Sequence, residues 1–359
     1  MKCSIITIHH IHNFGSIFQA YALAHFLEIN GYETEIIDYR PSYYNLGRNR
    51  FKTIVGRLLN IIPYYKRKKK FEKFISENEV LSAKQFFTIS ELEAYYRGSD
   101  RIFIAGGDQL WNNYHPCGND DSYKLKFVKS RKKIAYGTSM GRDNFSTDEL
   151  KKISALIDDF QKIMLREQST VSLIQEYLSV PVSHVIDPVG LLDIKDFETI
   201  AKKPDIEEPY AVMYLADSGD LLNHAIEILS KKLGLKIVHI CGFKKKCYCD
   251  YFIKDAGPEE ILGYILHANF VLSASFHATM FSILFQKQFA TLLPGEQTNA
   301  RINDLLSFVG LESRIIHSNE EINQLEDEID YSFANKIISD FREESRAALM
   351  KSLSEMVEG

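Results

Sequence analysis

The segment Val271-Leu-Ser-Ala-Ser-Phe-His-Ala-Thr-Met-Phe-Ser-Ile-Leu-Phe285 has the pattern of a buried strand that runs through two serines into an apolar helix, with His277 in the first helical turn. Backbone N–H groups at a helix N-terminus attract phosphate or carboxylate. A histidine beside them exchanges a proton near neutral pH. The chemistry expected here is therefore anion binding around Ser273, Ser275 and Ala278, with His277 moving the proton.

Other polar residues fall where further strands should end. In Leu165-Arg-Glu-Gln-Ser-Thr170, Arg166 sits at a strand tip and Ser169 at a helix cap. Such an arginine either clamps an anion through paired N–H donors or forms a structural pair with an Asp or Glu. Arg301, in Pro294–Leu306, either reaches an anion or pairs with Asp304 at helical spacing. Ala105-Gly-Gly-Asp-Gln-Leu-Trp-Asn112 carries Gly107, Asp108, Gln109 and Trp111, the single tryptophan. That set suits a sugar, whose hydroxyls need acceptors and whose C–H face packs on a ring; equally, it suits a tight turn with Trp111 in the core. Ala135-Tyr-Gly-Thr-Ser-Met-Gly141 is another backbone-exposing turn, and Asp187 before Pro188 reads as a turn residue binding backbone.

The first such turn, His9-His-Ile-His-Asn-Phe-Gly-Ser-Ile-Phe-Gln-Ala-Tyr-Ala-Leu23, places Gly15 before amides able to hold an acidic group. It lacks the spaced glycines of the dinucleotide fingerprint and the Gly-Lys-Ser/Thr end of a P-loop. His9, His10 and His12 have no Asp or Glu at ligand spacing, so packing or substrate contact is expected rather than a metal. His239, Cys241, Cys247 and Cys249 likewise lack the paired spacing of common zinc sites, and no metal is expected.

Positioning these groups requires strands alternating with helices. Strands are expected near Ser4–Ile8, Thr34–Asp38, Arg101–Ala105, Lys133–Thr138, Lys162–Leu165, His184–Ile186, Tyr210–Leu215, Lys236–Cys241 and Phe289–Leu293. Helices are expected over Ser16–Asn30, Ser90–Arg97, Thr147–Phe160, Ser169–Leu178, Asp220–Leu233 and Pro258–His267. That alternation predicts an α/β protein with mainly parallel sheets. With 359 residues and 45% hydrophobic content, two domains are expected. The charged, proline-containing stretch 194–209 marks a boundary, giving domains over 1–195 and 196–330 and a helical tail over 331–359 that returns across it. Ligands of open parallel sheets sit at the carboxyl ends of the strands, so the polar motifs are expected to face a cleft.

Net charge is −5 and Lys/Arg balance Asp/Glu over most of the chain, which argues against nucleic acid as a partner. The local exceptions are Lys244-Lys-Lys246, read as a solvated face, and Lys66-Arg-Lys-Lys-Lys70 in a basic helical arm over 50–77, which either lies peripherally on the inner face of a membrane or is a solvated helix. No run approaches spanning length, the N-terminus does not read as a secretory signal, and the five cysteines are an odd number; a cytoplasmic protein with reduced thiols is expected.

Taken in order, Thr7, His9, Asn13, Gly15 and Gln19-Ala-Tyr-Ala-Leu23, then Gly106-Gly-Asp-Gln-Leu-Trp-Asn112, Ser139 with Gly141, Arg166-Glu-Gln-Ser169, Asp187-Pro188, Ser275-Phe-His277 with Phe281-Ser282, and Arg301 with Leu305-Leu306 resemble the polysaccharide pyruvyl transferase family, within it a Ser-Phe-His subgroup. The resemblance implies two Rossmann-like domains facing a cleft, as in GT-B glycosyltransferases. It also implies transfer of pyruvate from phosphoenolpyruvate to two hydroxyls of one sugar, on a lipid-linked or polymeric glycan, as a cyclic ketal without a cofactor.

On that footing His277 is the general acid, Ser273, Ser275 and Ala278 hold the phosphate, and Arg166 with Arg301 holds the carboxylate. Asp108 is a base for the sugar, and His9, Asn13, Gly15, Gln19, Gly107, Gln109, Trp111 and Ser139 contact the acceptor. Many members carry Arg where this chain has Ser275, so Arg166 is expected to supply the missing charge. A nucleotide-sugar glycosyltransferase and a non-catalytic glycan-binding or assembly protein are the alternatives.

Overall fold

The computed structural model describes residues 2–46, 61–214, 219–240, 245, 247–293 and 300–358. Among these, residues within 1–50, 75–192 and 339–359 form one compact unit, and those within 51–74 and 193–338 form the other.

The first unit is built on six parallel strands, β1 (Lys2–Ile6), β2 (Glu33–Ile36), β3 (Ile102–Ala105), β4 (Lys133–Thr138), β5 (Lys162–Leu165) and β6 (Val182–His184), in the order β2-β1-β3-β4-β5-β6. Its helices include α1 (Phe14–Ile29), the end of α2 (Ile61–Asn78), α3 (Ile89–Tyr96), α4 (Thr147–Ile157) and α5 (Gln168–Gln175). Strands β3 and β4 are buried along their whole length, as the apolar runs Ile102-Phe-Ile-Ala105 and Ile134-Ala135 require of a sheet covered on both faces. Phe103, Trp111, Tyr123, Phe127 and Phe160 belong to one core cluster. Each such side chain removed from water contributes about 1.5–3 kcal/mol.

The second unit repeats the architecture with β7 (Tyr210–Tyr214), β8 (Lys236–Ile240), β9 (Tyr251–Ile253), β10 (Phe270–Ser273), β11 (Gln288–Leu292) and β12 (Ile315–Ile316), in the order β12-β11-β10-β7-β8-β9. Its helices include α6 (Ile194–Ile200), α7 (Asp220–Glu227), α8 (Pro258–Leu266), α9 (Phe276–Leu284) and α10 (Ala300–Phe308). Asp220–Leu233 was expected as one α-helix; after Glu227 it continues instead as a π-helical turn over Ile228–Lys232. Helix α11 (Ser332–Glu358) is continuous, and its residues from Ser339 onward group with the first unit.

The basic arm was expected with the N-terminal domain, but Ile61–Phe74 groups with the second unit. There Lys70 pairs with Glu260 at 2.6 Å and with Asp255 at 4.0 Å. Residues 50–60 of the arm lie outside the described residues.

In both sheets the strand order reverses beside a central strand, between β1 and β3 in one and between β7 and β10 in the other. The loops leaving those strand ends diverge in opposite directions, which opens a crevice at each switch point. The histidine-rich turn and the Gly106–Asn112 turn leave β1 and β3, and the Ser273–His277 turn leaves β10. These three motifs therefore stand where a parallel sheet offers a ligand room.

Candidate functional site

In the second unit, β10 ends at Ser273 and α9 begins at Phe276. The Ser273 hydroxyl donates to the Tyr214 carbonyl at 3.2 Å and accepts from the Ser275 amide at 2.9 Å, which fixes the turn. Ser275 occupies the N-cap position with extended backbone, yet its side chain makes no cap bond to the first-turn amides. A serine there ordinarily accepts from one of them. His277 is 5% exposed, edge-on to Phe276 with ring centroids 5.2 Å apart. The Arg301 guanidinium carbon lies 5.8 Å from the centroid of the same Phe276 ring. A helix N-terminus, a histidine and an arginine thus come together within this unit. Ala278, in the same turn, is 0% exposed.

The first unit differs. At the start of α1 the Asn13 side chain accepts from the Gly15 amide at 2.9 Å and the Ser16 amide at 3.4 Å. These amides were expected to be open to an acidic ligand; the asparagine cap takes them instead. Gln19 is buried and donates to Thr7 Oγ1 at 2.8 Å and to the Ser16 carbonyl at 2.8 Å, joining α1 to the end of β1.

Asp108 has φ 74°, a left-handed conformation that is costly for a residue with a side chain and that clusters at functional sites. Its carboxylate accepts from the Ser16 hydroxyl at 2.5 Å and from the Gln109 amide at 2.7 Å. Gly107 lets this turn pass Gln19 and Pro188, because a Cβ there would stand 2.7 Å from Gln19 Oε1 and 2.9 Å from Pro188 Cγ. Gly141, at φ +76°, would drive a Cβ into Asn112 Nδ2 and Gln109 Oε1. Gly141→Ala combines left-handed strain with that overlap and is expected to destabilise the protein by about 2 kcal/mol in urea unfolding.

Arg166 at the tip of β5 is committed to carboxylates: its Nη1 donates to Asp187 at 2.7 Å and its Nε lies 3.5 Å from Glu167. Burial disfavours its charge, but Asp187 and Glu167 outweigh that and push its pKa upward. Of the two roles open to Arg166, the geometry favours the structural pair over a clamp for the donor. Ser139, expected at the acceptor, gives its hydroxyl to Glu167. Asp187 binds the Val189 amide at 3.0 Å, as a turn aspartate should, and holds Arg166 as well. Ser169 was expected to cap α5; Glu167 occupies the N-cap position instead, without a side-chain cap bond.

Trp111 is 1% exposed, and its indole N–H donates to the Tyr123 carbonyl at 3.0 Å, so it is a core residue here rather than an open sugar platform. Gln109 accepts from Asn112 through its side-chain oxygen at 2.7 Å.

His9 is buried with Nδ1 3.3 Å from the Thr7 carbonyl and Nε2 3.1 Å from Asp38. Packing, rather than ligand contact, accounts for both nitrogens. Burial acts to raise the Asp38 carboxyl, but hydrogen bonds from His9 and Arg40 hold it well below the usual carboxylate range. His10, half-buried against Tyr44, is held down to about 3 by burial and then by the charges of His9 and Arg40. A neutral native His10 means that the unfolded chain binds the extra proton. Stability from this residue is therefore present above pH 6.5 and is lost as pH falls from there towards 3. His10→Asn is expected to remove on the order of 1 kcal/mol per pH unit from that slope, read by urea unfolding between pH 7 and pH 5.

The residues that residue-type reasoning missed are Ser16, Asp38, Arg40 and Glu167. A carboxylate closing a strand, as in Thr34–Asp38, and the adjacency Arg166-Glu167 were the available signals. Among the described residues no group of three His, Cys, Asp or Glu side chains is placed to hold a metal ion. His239 stacks on Phe252 at 5.1 Å, and Cys241 lies outside the described residues.

Two solved structures share the whole architecture. Arabidopsis thaliana UGT89C1 in complex with UDP-L-rhamnose matches with a TM-score of 0.53 at 8% identity, over 99% of this chain and 98% of that one. A protein described as a UDP-N-acetylglucosamine 2-epimerase from Listeria monocytogenes matches with a TM-score of 0.52 at 10% identity, over 94% of this chain and 90% of that one. At such identities the likeness concerns the fold alone, which is GT-B-like. No curated protein matches the chain. The family model for polysaccharide pyruvyl transferase matches residues 13–294, from the Asn13 cap past His277. With most of its length under that model, the chain belongs to the polysaccharide pyruvyl transferase family and is an enzyme of that family.

Proposed function

We propose that this enzyme transfers the pyruvyl group of phosphoenolpyruvate to two hydroxyls of one sugar in a surface polysaccharide or its lipid-linked precursor. The observation that carries the reading is the turn from β10 into α9. It joins a helix N-terminus, which Ser275 does not cap with its side chain, to His277 and to Arg301 beside Phe276.

Phosphoenolpyruvate carries two anionic groups on one vinyl carbon, so its site must hold phosphate and carboxylate apart. In this reading the first turn of α9, with Ser273 and Ser275, takes the phosphate. Arg301 takes the carboxylate, because Arg166 already neutralises Asp187 and Glu167. His277 delivers a proton to the methylene carbon as a sugar hydroxyl adds to the carbon bearing the phosphate. Inorganic phosphate then leaves, and the second hydroxyl closes the ketal with loss of its proton. Asp108 is the acceptor-side base: its carboxylate already accepts a hydroxyl hydrogen bond from Ser16, the interaction that a sugar hydroxyl would make. His9, Gln19 and Trp111 are buried in the first unit and support its acceptor side from within rather than as exposed contacts. The donor is a co-substrate, and no cofactor enters the scheme.

A nucleotide-sugar glycosyltransferase is the second reading, favoured by the shared fold with a protein solved with UDP-L-rhamnose. Thermal unfolding with each ligand separates the two. A ligand at a hundred times its Kd stabilises the native state by about 2.7 kcal/mol. Phosphoenolpyruvate is expected to raise Tm by several degrees and UDP to leave it unchanged; the reverse pattern would favour glycosyl transfer.

A further inference from the structure

We propose that the exposed face of α2 is a docking surface for an anionic lipid bilayer. The helix is anchored by its opposite face, where Phe71, Phe74 and Ile75 are buried. Lys70 is turned inward to Glu260 at 2.6 Å, and Lys68 pairs along the helix with Glu72 at 3.3 Å. What remains outward is a mixed stripe. Ile61 is 41%, Ile62 67% and Tyr65 61% exposed, and Lys66 and Lys69 are exposed beside them.

Ile61, Tyr65 and Lys69 follow one another at four-residue steps, and Ile62 and Lys66 do the same one residue on. In an α-helix those positions share a face. Neither Lys66 nor Lys69 forms an ion pair among the described residues.

The combination selects the occupant. Lys66 and Lys69, the outward-facing lysines of the run Lys66-Arg-Lys-Lys-Lys70, match a surface of negative charge, whereas two isoleucines and a tyrosine held out in water on the same turns match an acyl boundary. Lysine stems lie along apolar surface while their ammonium groups reach the headgroups. A nucleic acid would satisfy the charge and leave the isoleucines in water. No described helix is long and apolar enough to cross a membrane, so the contact is peripheral. None of the residues on this face is among the groups assigned to catalysis, and vesicle binding can fail while pyruvyl transfer to a water-soluble glycan succeeds.

The test is flotation of the full chain with vesicles of phosphatidylcholine alone and of a phosphatidylcholine mixture rich in phosphatidylglycerol. Binding is expected only to the anionic vesicles. It should fall about tenfold or more in Lys66→Gln/Lys69→Gln, and by a similar factor in Ile62→Ser/Tyr65→Ser, with both variants keeping wild-type circular dichroism. Failure of the wild-type chain to float with anionic vesicles overturns the proposal. So does binding that survives loss of Ile62 and Tyr65 and is abolished by a soluble polyanion, which would assign the face to an acidic macromolecule.

Discussion

His277→Ala is expected to lower the rate of phosphate release from phosphoenolpyruvate, with a competent acceptor present, by about 10²–10⁴-fold, the range of a positioned general acid. The loss should fall on kcat, because the proton moves in the transition state and the first-turn amides of α9 still hold the ground-state anion. His277 is buried, so the alanine variant also leaves a cavity, and a fall in activity alone does not separate chemistry from folding. His277→Gln makes the separation. It keeps an amide donor of similar reach and most of the volume, and it cannot exchange a proton at neutral pH. Both variants should lose turnover, while the glutamine variant keeps the thermal stability of the parent. Wild-type phosphate release in His277→Gln would remove the histidine from the chemistry.

Arg166→Met should act on stability instead. Removing one partner of a buried ion pair leaves its carboxylates uncompensated and costs about 3–5 kcal/mol. For a unit of this size that is a fall in Tm on the order of 10 °C. Arg166→Met/Asp187→Leu should recover part of the loss, because two apolar side chains replace the pair and only Glu167 then remains to be protonated or solvated. The measurement is thermal unfolding together with the affinity for phosphoenolpyruvate. A single variant that unfolds at the wild-type temperature and loses only donor affinity would return Arg166 to the role of anion clamp.

Arg166 also shows where residue type and spacing run out. Its place at the tip of β5 was legible in the pattern Lys162-Ile-Met-Leu165 followed by a polar run. Its partner was not, because Asp187 is brought to it by the parallel pairing of β5 with β6, a tertiary event. The same holds for Asp108. The glycine pair announced a turn after β3, whereas the Ser16 hydroxyl that meets its carboxylate comes from a helix 92 positions earlier. Trp111 fitted a sugar platform or a core filler equally well, and only packing against Phe160, with ring centroids 5.8 Å apart, decides between them.

Long apolar strands such as β3, β4 and β10 were legible because a strand buried on both faces needs a continuous run. Strands β9 and β12 were not, since Tyr251–Ile253 and Ile315–Ile316 are too short to carry a period and sit at sheet edges. Helix α1 was located correctly but entered differently. It begins at Phe14 under the Asn13 cap rather than at Ser16, and that shift turned a supposed anion site into a closed helix end. The turn from β10 into α9 was legible because strand, serines, histidine and helix are contiguous in the chain.

The central claim is tested most directly on the product. The enzyme should be incubated with phosphoenolpyruvate and a panel of lipid-linked saccharides, and each glycan analysed by mass spectrometry alongside released phosphate. The account predicts that at least one saccharide gains a pyruvyl ketal with one phosphate released per ketal, and that His277→Gln forms neither. Glycan elongation from a nucleotide sugar, with no ketal formed from phosphoenolpyruvate on any saccharide of the panel, would contradict it.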